Sequence, residues 1–138
     1  MLLVNNTTKI KVPGKDLEKL AAAFAKYFKV PDQEISLALI GDAKMRRLNL
    51  EYRGQDRATD ILSFAEVNEI IINLPQIKRQ AKEFGHSFRF ELDFVLTHGL
   101  LHLLGYTDER EVDRKKMIKL GEDFLSDIWY NRRVKYED

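Results

Sequence analysis

From residue 94 the chain reads Phe94-Val-Leu-Thr-His98-Gly-Leu-Leu-His102-Leu-Leu-Gly105-Tyr-Thr-Asp108. Up to Leu104 this stretch is apolar nearly all round, interrupted by Thr97 and the two histidines. A helix with no polar stripe belongs at the centre of a fold, with other elements packed around it. Enclosing this helix also encloses two imidazoles. His98 and His102 stand at i and i+4, one turn apart on a single face. That spacing aims them at one point, as a metal site requires. Gly105 ends the run, and a chain that turns back after it carries Asp108 towards the same point.

The elements around this helix follow from local patterns. Residues 2–5 and 9–12 read as extended. Gly14-Lys-Asp16 opens an amphipathic helix to Phe28, with Leu17, Leu20, Ala21, Phe24 and Phe28 on its core stripe. Alternation of Ile35, Leu37 and Leu39 predicts a strand over 34–40. Gly41-Asp42 reads as a turn and helix cap, and 43–52 as a short helix. Gly54 ends that helix, because glycine enters the left-handed region cheaply. Strands are predicted over 59–64 and 67–72, the second an isoleucine run suited to burial on both faces. A helix over 75–84, a break at Gly85-His86-Ser87, the central helix over 88–104 and a last helix over 109–130 complete the chain. The last helix carries Val112, Met117, Leu120, Phe124, Leu125 and Ile128 as its core stripe. The polar tail 131–138 is expected to fray. Strands come early and helices dominate late. The expected fold class is α+β, a small mixed four-stranded sheet packed against several helices, with the His-bearing helix buried at the centre.

Composition narrows the chemistry. The 138 residues fit one domain, 1–138, and include no cysteine. Disulfides and thiolate metal sites are therefore excluded, and a transition-metal site must use His, Asp or Glu. No apolar run is long enough to cross a bilayer, and the first residues lack the basic and apolar regions of a signal peptide, so the default expectation is cytoplasmic with no membrane partner. A net charge of +1 does not advertise nucleic-acid binding. Basic residues do cluster at Lys44, Arg46, Arg47, Arg53 and Arg57, and again at Arg110, Arg114, Lys115, Lys116 and Lys119. The ordinary reading of such runs is a solvated helix face with acidic neighbours.

Each candidate ligand has a bland reading. A single histidine on an apolar helix is more often a hydrogen-bonded core residue. Two with no shared partner would each cost about 1–3 kcal/mol if left unsatisfied. Asp108-Glu-Arg-Glu111 is also a capping box, which would make Asp108 the N-cap of the last helix. His86, in the break, reads as an exposed loop residue and is the fallback third ligand. The skeleton His-x-x-x-His-x-x-Gly-x-x-Asp is shared with zinc proteases, but Gly99 stands where their general-base Glu would be. That points away from proteolysis and towards a hydrolysis in which the metal itself activates water.

With these residues in view, His98-Gly-Leu-Leu-His102-Leu-Leu-Gly105-Tyr106 resembles the signature of the YbeY family of metal-dependent endoribonucleases, His-Gly-x-Leu-His-Leu-x-Gly-Tyr-Asp-His. Upstream, Leu48-Asn49-Leu-Glu-Tyr52-Arg53-Gly54-Gln-Asp56 and Thr59-Asp60-Ile-Leu62-Ser63-Phe64 are similar to two further blocks of that family, as are Glu83–Ser87 and Glu91-Leu92. The resemblance spans residues 35–110. It implies a single-strand-specific endoribonuclease that matures the 3′ end of small-subunit ribosomal RNA and takes part in ribosome quality control. Its implied partners are single-stranded RNA and ribosomal particles, and its cofactor is one divalent metal ion, usually zinc. The resemblance assigns the metal to His98, His102 and the position of Asp108, and a phosphate-handling catalytic role to Arg53. Without it, Arg53 reads as an ion-pair partner of Asp56 or Asp60. Thr59, Asp60 and Ser63 read as organisers of the strand start, and Gly99 as a point of close packing. The chain departs from the family at Thr107-Asp108, which replaces Asp-His. A carboxylate can ligate at about 2.0–2.2 Å, but a two-nitrogen, one-oxygen site is harder and less selective for zinc. Three other readings compete: a non-catalytic RNA- or ribosome-binding factor with a weakened metal site, a peptidase-like hydrolase, and a two-His-one-carboxylate iron oxygenase.

Overall fold

The structure, a computed structural model, describes the backbone of residues 1–132 and the side chains of residues 1–128. Four strands and five α-helices run in the order β1 (Leu2–Asn6), α1 (Gly14–Tyr27), β2 (Ile35–Ile40), α2 (Asp42–Arg53), β3 (Ile61–Phe64), β4 (Glu69–Asn73), α3 (Leu74–Phe84), α4 (Phe88–Leu103) and α5 (Glu111–Arg132). The strands form one sheet in the order β1-β2-β4-β3. β1 pairs parallel to β2 and β2 parallel to β4, while β3 returns antiparallel along β4. The sheet is mixed and the fold α+β, as the sequence predicts.

Alternation along the strands divides the interior. Leu37, Leu39, Ile70 and Ile72 join the main core, which takes in buried residues of α1, α3, α4 and α5. Ile40, Leu62 and Ile71 point to the opposite face, where Met45 of α2 covers them. The isoleucine run of β4 is thus buried on both faces. The central helix is α4, with Leu92, Val95, Leu96, Leu100 and Leu101 buried. Its buried Thr97 is satisfied locally, because the hydroxyl donates to the Asp93 carbonyl one turn back at 2.7 Å. Ser87 caps the helix by accepting from the Phe90 N–H at 3.1 Å.

Gly99 sets how closely α4 approaches the sheet. A Cβ built there would lie 2.7 Å from Ile61 Cδ1 and 3.2 Å from Ile70 Cδ1. The helix therefore rests on β3 and β4 through a residue with no side chain. This face of the turn is turned away from the histidines, so position 99 has room for neither a glutamate nor the role a protease gives one.

Several expectations are corrected. Residues 9–12 form no strand. Asn6 and Thr8 bind the segment into a turn, with Asn6 Nδ2 donating to the Ile10 carbonyl at 2.8 Å and the Ile10 N–H to Thr8 Oγ1 at 3.1 Å. β4 begins at Glu69, because Ala65–Val67 is a single 3-10 turn that leaves Val67 exposed. Asp42 does not cap α2; Gly41 occupies that position. The Asp42 carboxylate instead takes Arg79 at 2.6 Å and buried Asn73 at 2.8 Å. These bonds hold it below the usual carboxylate range, with the Arg79 hydrogen bond the largest cause. The last helix starts at Glu111, two residues late, and Val112 is exposed rather than in its core stripe. Gly54 does end α2 in the left-handed region, at φ 69°. The tail 133–138 lies outside the described residues.

Because Gly99 meets two side chains at contact distance, Gly99→Val should destabilise the protein by about 1–3 kcal/mol through overpacking. The measurement is a urea midpoint; an unchanged midpoint would mean that the helix does not rest on the sheet at this point.

Candidate metal centre

The end of α4 is closed by two bonds. The Gly105 N–H donates to the His102 carbonyl at 3.0 Å and the Tyr106 N–H to the Leu101 carbonyl at 3.2 Å. This pattern needs a left-handed residue after the helix, and Gly105 supplies it at φ 100°. A side chain here would be strained, so glycine is the residue that lets the chain fold back.

Folding back has two consequences. The Tyr106 carbonyl arrives 3.0 Å from His102 Nδ1. A carbonyl can only accept, so Nδ1 carries the proton and Nε2 presents its lone pair. The Asp108 carboxylate also arrives between the two imidazoles. Its Oδ2 lies 3.5 Å from His98 Nε2 and 3.5 Å from His102 Nε2. One ligand atom from each of the three residues falls within 4.8 Å of the others. Burial, together with the neighbouring His102, pushes the His98 imidazole below its ordinary value of 6.5, against a weaker pull from Asp108. Two imidazoles and a carboxylate converging through Nε2, Nε2 and Oδ2 form a donor set suited to a divalent cation. Among the described residues this is the one such group of three.

The capping-box reading of Asp108 falls. α5 begins three residues later, and the carboxylate is turned to the histidines. His86 is exposed and packs on Phe90, with ring centroids 4.7 Å apart, outside the metal group.

The three residues lie in a cleft of about 850 Å³ whose lining includes Arg53, Asp60 and Ser63 on one side and Arg114 on another. Arg53, the last residue of α2, donates through Nη2 to the Ser63 carbonyl at 3.1 Å, and its guanidinium sits 5.3 Å from the Phe64 ring centre. The alternative reading of Arg53, an ion pair with Asp56 or Asp60, finds no such pair among the described residues; Asp56 is taken by Arg46 in a two-pronged contact at 2.7 and 3.1 Å. Among the described residues Arg53 has no acidic partner, and its remaining N–H groups are available to an anion. The other basic runs are largely solvated faces, with Arg110 on Asp113, Lys115 on Glu111 and Lys119 on Asp123.

Residue types in the sequence do not single out the rest of the cleft. Gln80, Phe84, Glu91, Phe94 and Arg114 line it but sit in ordinary helical patterns. The one available signal was Glu91, an acidic residue on the buried face of an apolar helix. Asp60 does start the strand, its carbonyl accepting from the Asn73 N–H at 2.9 Å. It also lines the cleft, and its charge acts on both His98 and Glu91.

The family model for Endoribonuclease YbeY matches residues 3–128. The chain belongs to the YbeY family. It is 42% identical to the Endoribonuclease YbeY of Desulforamulus reducens, the match covering 74% of this chain and 76% of that one. It is 41% identical to the Heliobacterium modesticaldum protein of the same name over 79% of each chain, and 34% identical to that of Bacillus pumilus over 94% and 95%. The solution structure of TM1509 from Thermotoga maritima superimposes with a TM-score of 0.69 at 29% identity, covering 96% of this chain and 92% of that one. Membership accounts for the order of the motif blocks along the chain.

The depressed His98 value has a sign that can be tested. The unfolded chain takes up this proton at a higher pH than the folded one, so protonation favours unfolding. The penalty is complete below the folded-state value and disappears above about 6.5. The metal-free protein should therefore gain stability as pH rises to about 6.5. His98→Gln should show less of that gain in urea midpoints taken across the range. An unaltered pH dependence in the variant would contradict the burial of His98.

Proposed function

We propose that this YbeY protein is a single-strand-specific endoribonuclease of ribosomal RNA processing, acting in the cytoplasm on ribosomal particles and taking part in their quality control, with one zinc ion held by His98, His102 and Asp108. The observation that carries the reading is the convergence of three ligand atoms within 4.8 Å in a cleft that is also lined by Arg53, which has no acidic partner among the described residues. The fit of a divalent ion rests on three features. His102 is locked in the Nε2-free tautomer, His98 is kept neutral by burial, and Asp108 supplies the one negative charge.

A divalent ion bound there supplies Lewis-acid activation of water and polarisation of a phosphoryl oxygen. The remaining work falls to the protein. Arg53, braced on the Ser63 carbonyl and the Phe64 ring, can offer parallel N–H groups to a phosphodiester and meet the charge that develops during attack. Tyr106 holds His102 in orientation through its carbonyl, and Gly105 places that carbonyl. Asp108 lowers the positive charge of the site relative to a third imidazole and makes it harder, so zinc is held less selectively than by three nitrogens. The peptidase reading lacks a general base, because Gly99 faces Ile61 and Ile70 and not the cleft.

Two measurements test this. Arg53→Ala should lower cleavage of single-stranded RNA by about a hundredfold while metal content, read by elemental analysis, stays at one per chain. Asp108→His should tighten zinc in a competition with a chromogenic chelator, and Asp108→Ala should abolish stoichiometric binding. Full zinc occupancy in Asp108→Ala would remove the carboxylate from the ligand set. Stoichiometric zinc with no RNA cleavage would favour a binding factor over a nuclease.

A further inference from the structure

The cleft continues past the metal centre towards the start of α4, and there its chemistry changes. Glu91 precedes His98 by seven residues, about 10 Å of helix rise along a shared face. The wall made by α3 and α4 contributes Gln80, Phe84, Glu91, Phe94 and Val95 to the lining, and no cation. The lining cations, Arg53 and Arg114, come from α2 and α5. A phosphate backbone is drawn to the arginines and away from a wall that carries a carboxylate.

Phe84 ends α3 with 58% of its surface exposed, although it lines the cleft. It is the outer member of an aromatic row. Its ring centroid lies 6.3 Å from that of His86; His86 to Phe90 is 4.7 Å, and Phe90 to Phe94 is 6.3 Å with the planes 19° apart. The polar members are set with equal definition. Gln76 Nε2 donates to Gln80 Oε1 at 3.2 Å, which turns the Gln80 amide so that its Nε2 donates to Glu91 Oε2 at 3.2 Å. Glu91 is 4% exposed, and Gln80 is its one side-chain hydrogen-bond partner among the described residues. Burial raises the affinity of its carboxyl for a proton. Holding such a group with a single protein partner costs stability.

We infer that this end of the cleft is a nucleobase subsite, in which Phe84 stacks an unpaired base next to the scissile phosphate and the Gln80–Glu91 pair hydrogen-bonds to its edge. An aromatic face with amide and carboxyl groups beside it is the combination that recognises splayed bases of single-stranded RNA. A base still paired in a duplex cannot enter, so the subsite contributes to single-strand selectivity. This inference rests on the endoribonuclease reading for the identity of the ligand.

The test is a binding cycle on the zinc-loaded protein. The probes are short single-stranded RNA oligonucleotides with a phosphorothioate at the cleavage position and an abasic nucleotide at each flanking position in turn. Binding is followed by fluorescence anisotropy. In the wild type, one flanking abasic position should weaken Kd by about tenfold. Phe84→Ala should lose a similar factor on the intact oligonucleotide and little more on that abasic one, and Phe84→Trp should restore binding. Phe84 is exposed, so its truncation leaves the core intact, which a urea midpoint verifies. Wild-type affinity in Phe84→Ala, or losses that multiply at every abasic position, would overturn the subsite. A cycle that holds in a protein that cleaves no RNA would retain the subsite and overturn the nuclease reading.

Discussion

Everything in this molecule depends on α4 being able to lie directly on the sheet. The contact is made through Gly99, where a Cβ would fall 2.7 Å from Ile61. With the helix seated there, Leu92, Val95, Leu96, Leu100 and Leu101 enter the main core alongside β2 and β4. The histidines, on another face, are left at the floor of the cleft. Side chains at 98 and 102 are about one-fifth exposed: dry enough for burial to keep His98 neutral, and open enough for a ligand to reach both. A bulkier residue at 99 would lift the helix and spoil packing and site together. The glycine that denies this chain a protease's base is the one that positions the two histidines of the candidate site.

The second constraint is the way α4 stops. The closure at Gly105 gives partners to carbonyls of the last helical turn, those of Leu101 and His102, and the same turn delivers the Tyr106 carbonyl to His102 and the Asp108 carboxylate to both imidazoles. Helix termination, tautomer selection and completion of the donor set are thus one local event spanning eight residues of chain. Little long-range structure is needed to assemble the site once α4 is enclosed.

That locality explains which features were legible in the sequence. The metal group could be read from spacing because i, i+4 geometry and a C-terminal glycine are short-range rules. The mixed sheet was legible from alternation in 35–39 and the isoleucine run of β4. Features that needed tertiary information were not. Val112 matched the apolar stripe of α5 but lies in its first turn, beyond the reach of the core. Residues 9–12 looked extended, yet Asn6 and Thr8 side chains captured the backbone groups a strand would have used. Asp108 fitted both a capping box and a metal site in the sequence, and the start of α5 at Glu111 removes the first. The wall of Gln80, Phe84 and Glu91 is assembled from two helices whose apolar patterns are each unremarkable, so no single window of sequence announces it.

The charge of the cleft binds these parts into one functional argument. Asp60, Glu66, Glu91, Asp108 and Glu109 line it against two arginines, an acidic surface for a chain that handles a polyanion. Such a surface repels phosphate unless a cation offsets it. Two devices do so: a donor set suited to a divalent ion, and Arg53, freed from Asp56 because Arg46 takes that carboxylate. The Arg46–Asp56 pair is exposed and contributes little to stability. Its effect is to leave Arg53 without an acidic partner among the described residues. An anion is therefore drawn to the part of the cleft that holds the candidate metal group and the two arginines, Arg53 and Arg114, and the acidic remainder disfavours the backbone elsewhere. Placement of the scissile phosphate follows from where negative charge is compensated, and the discrimination among neighbouring nucleotides is left to walls that carry no cation.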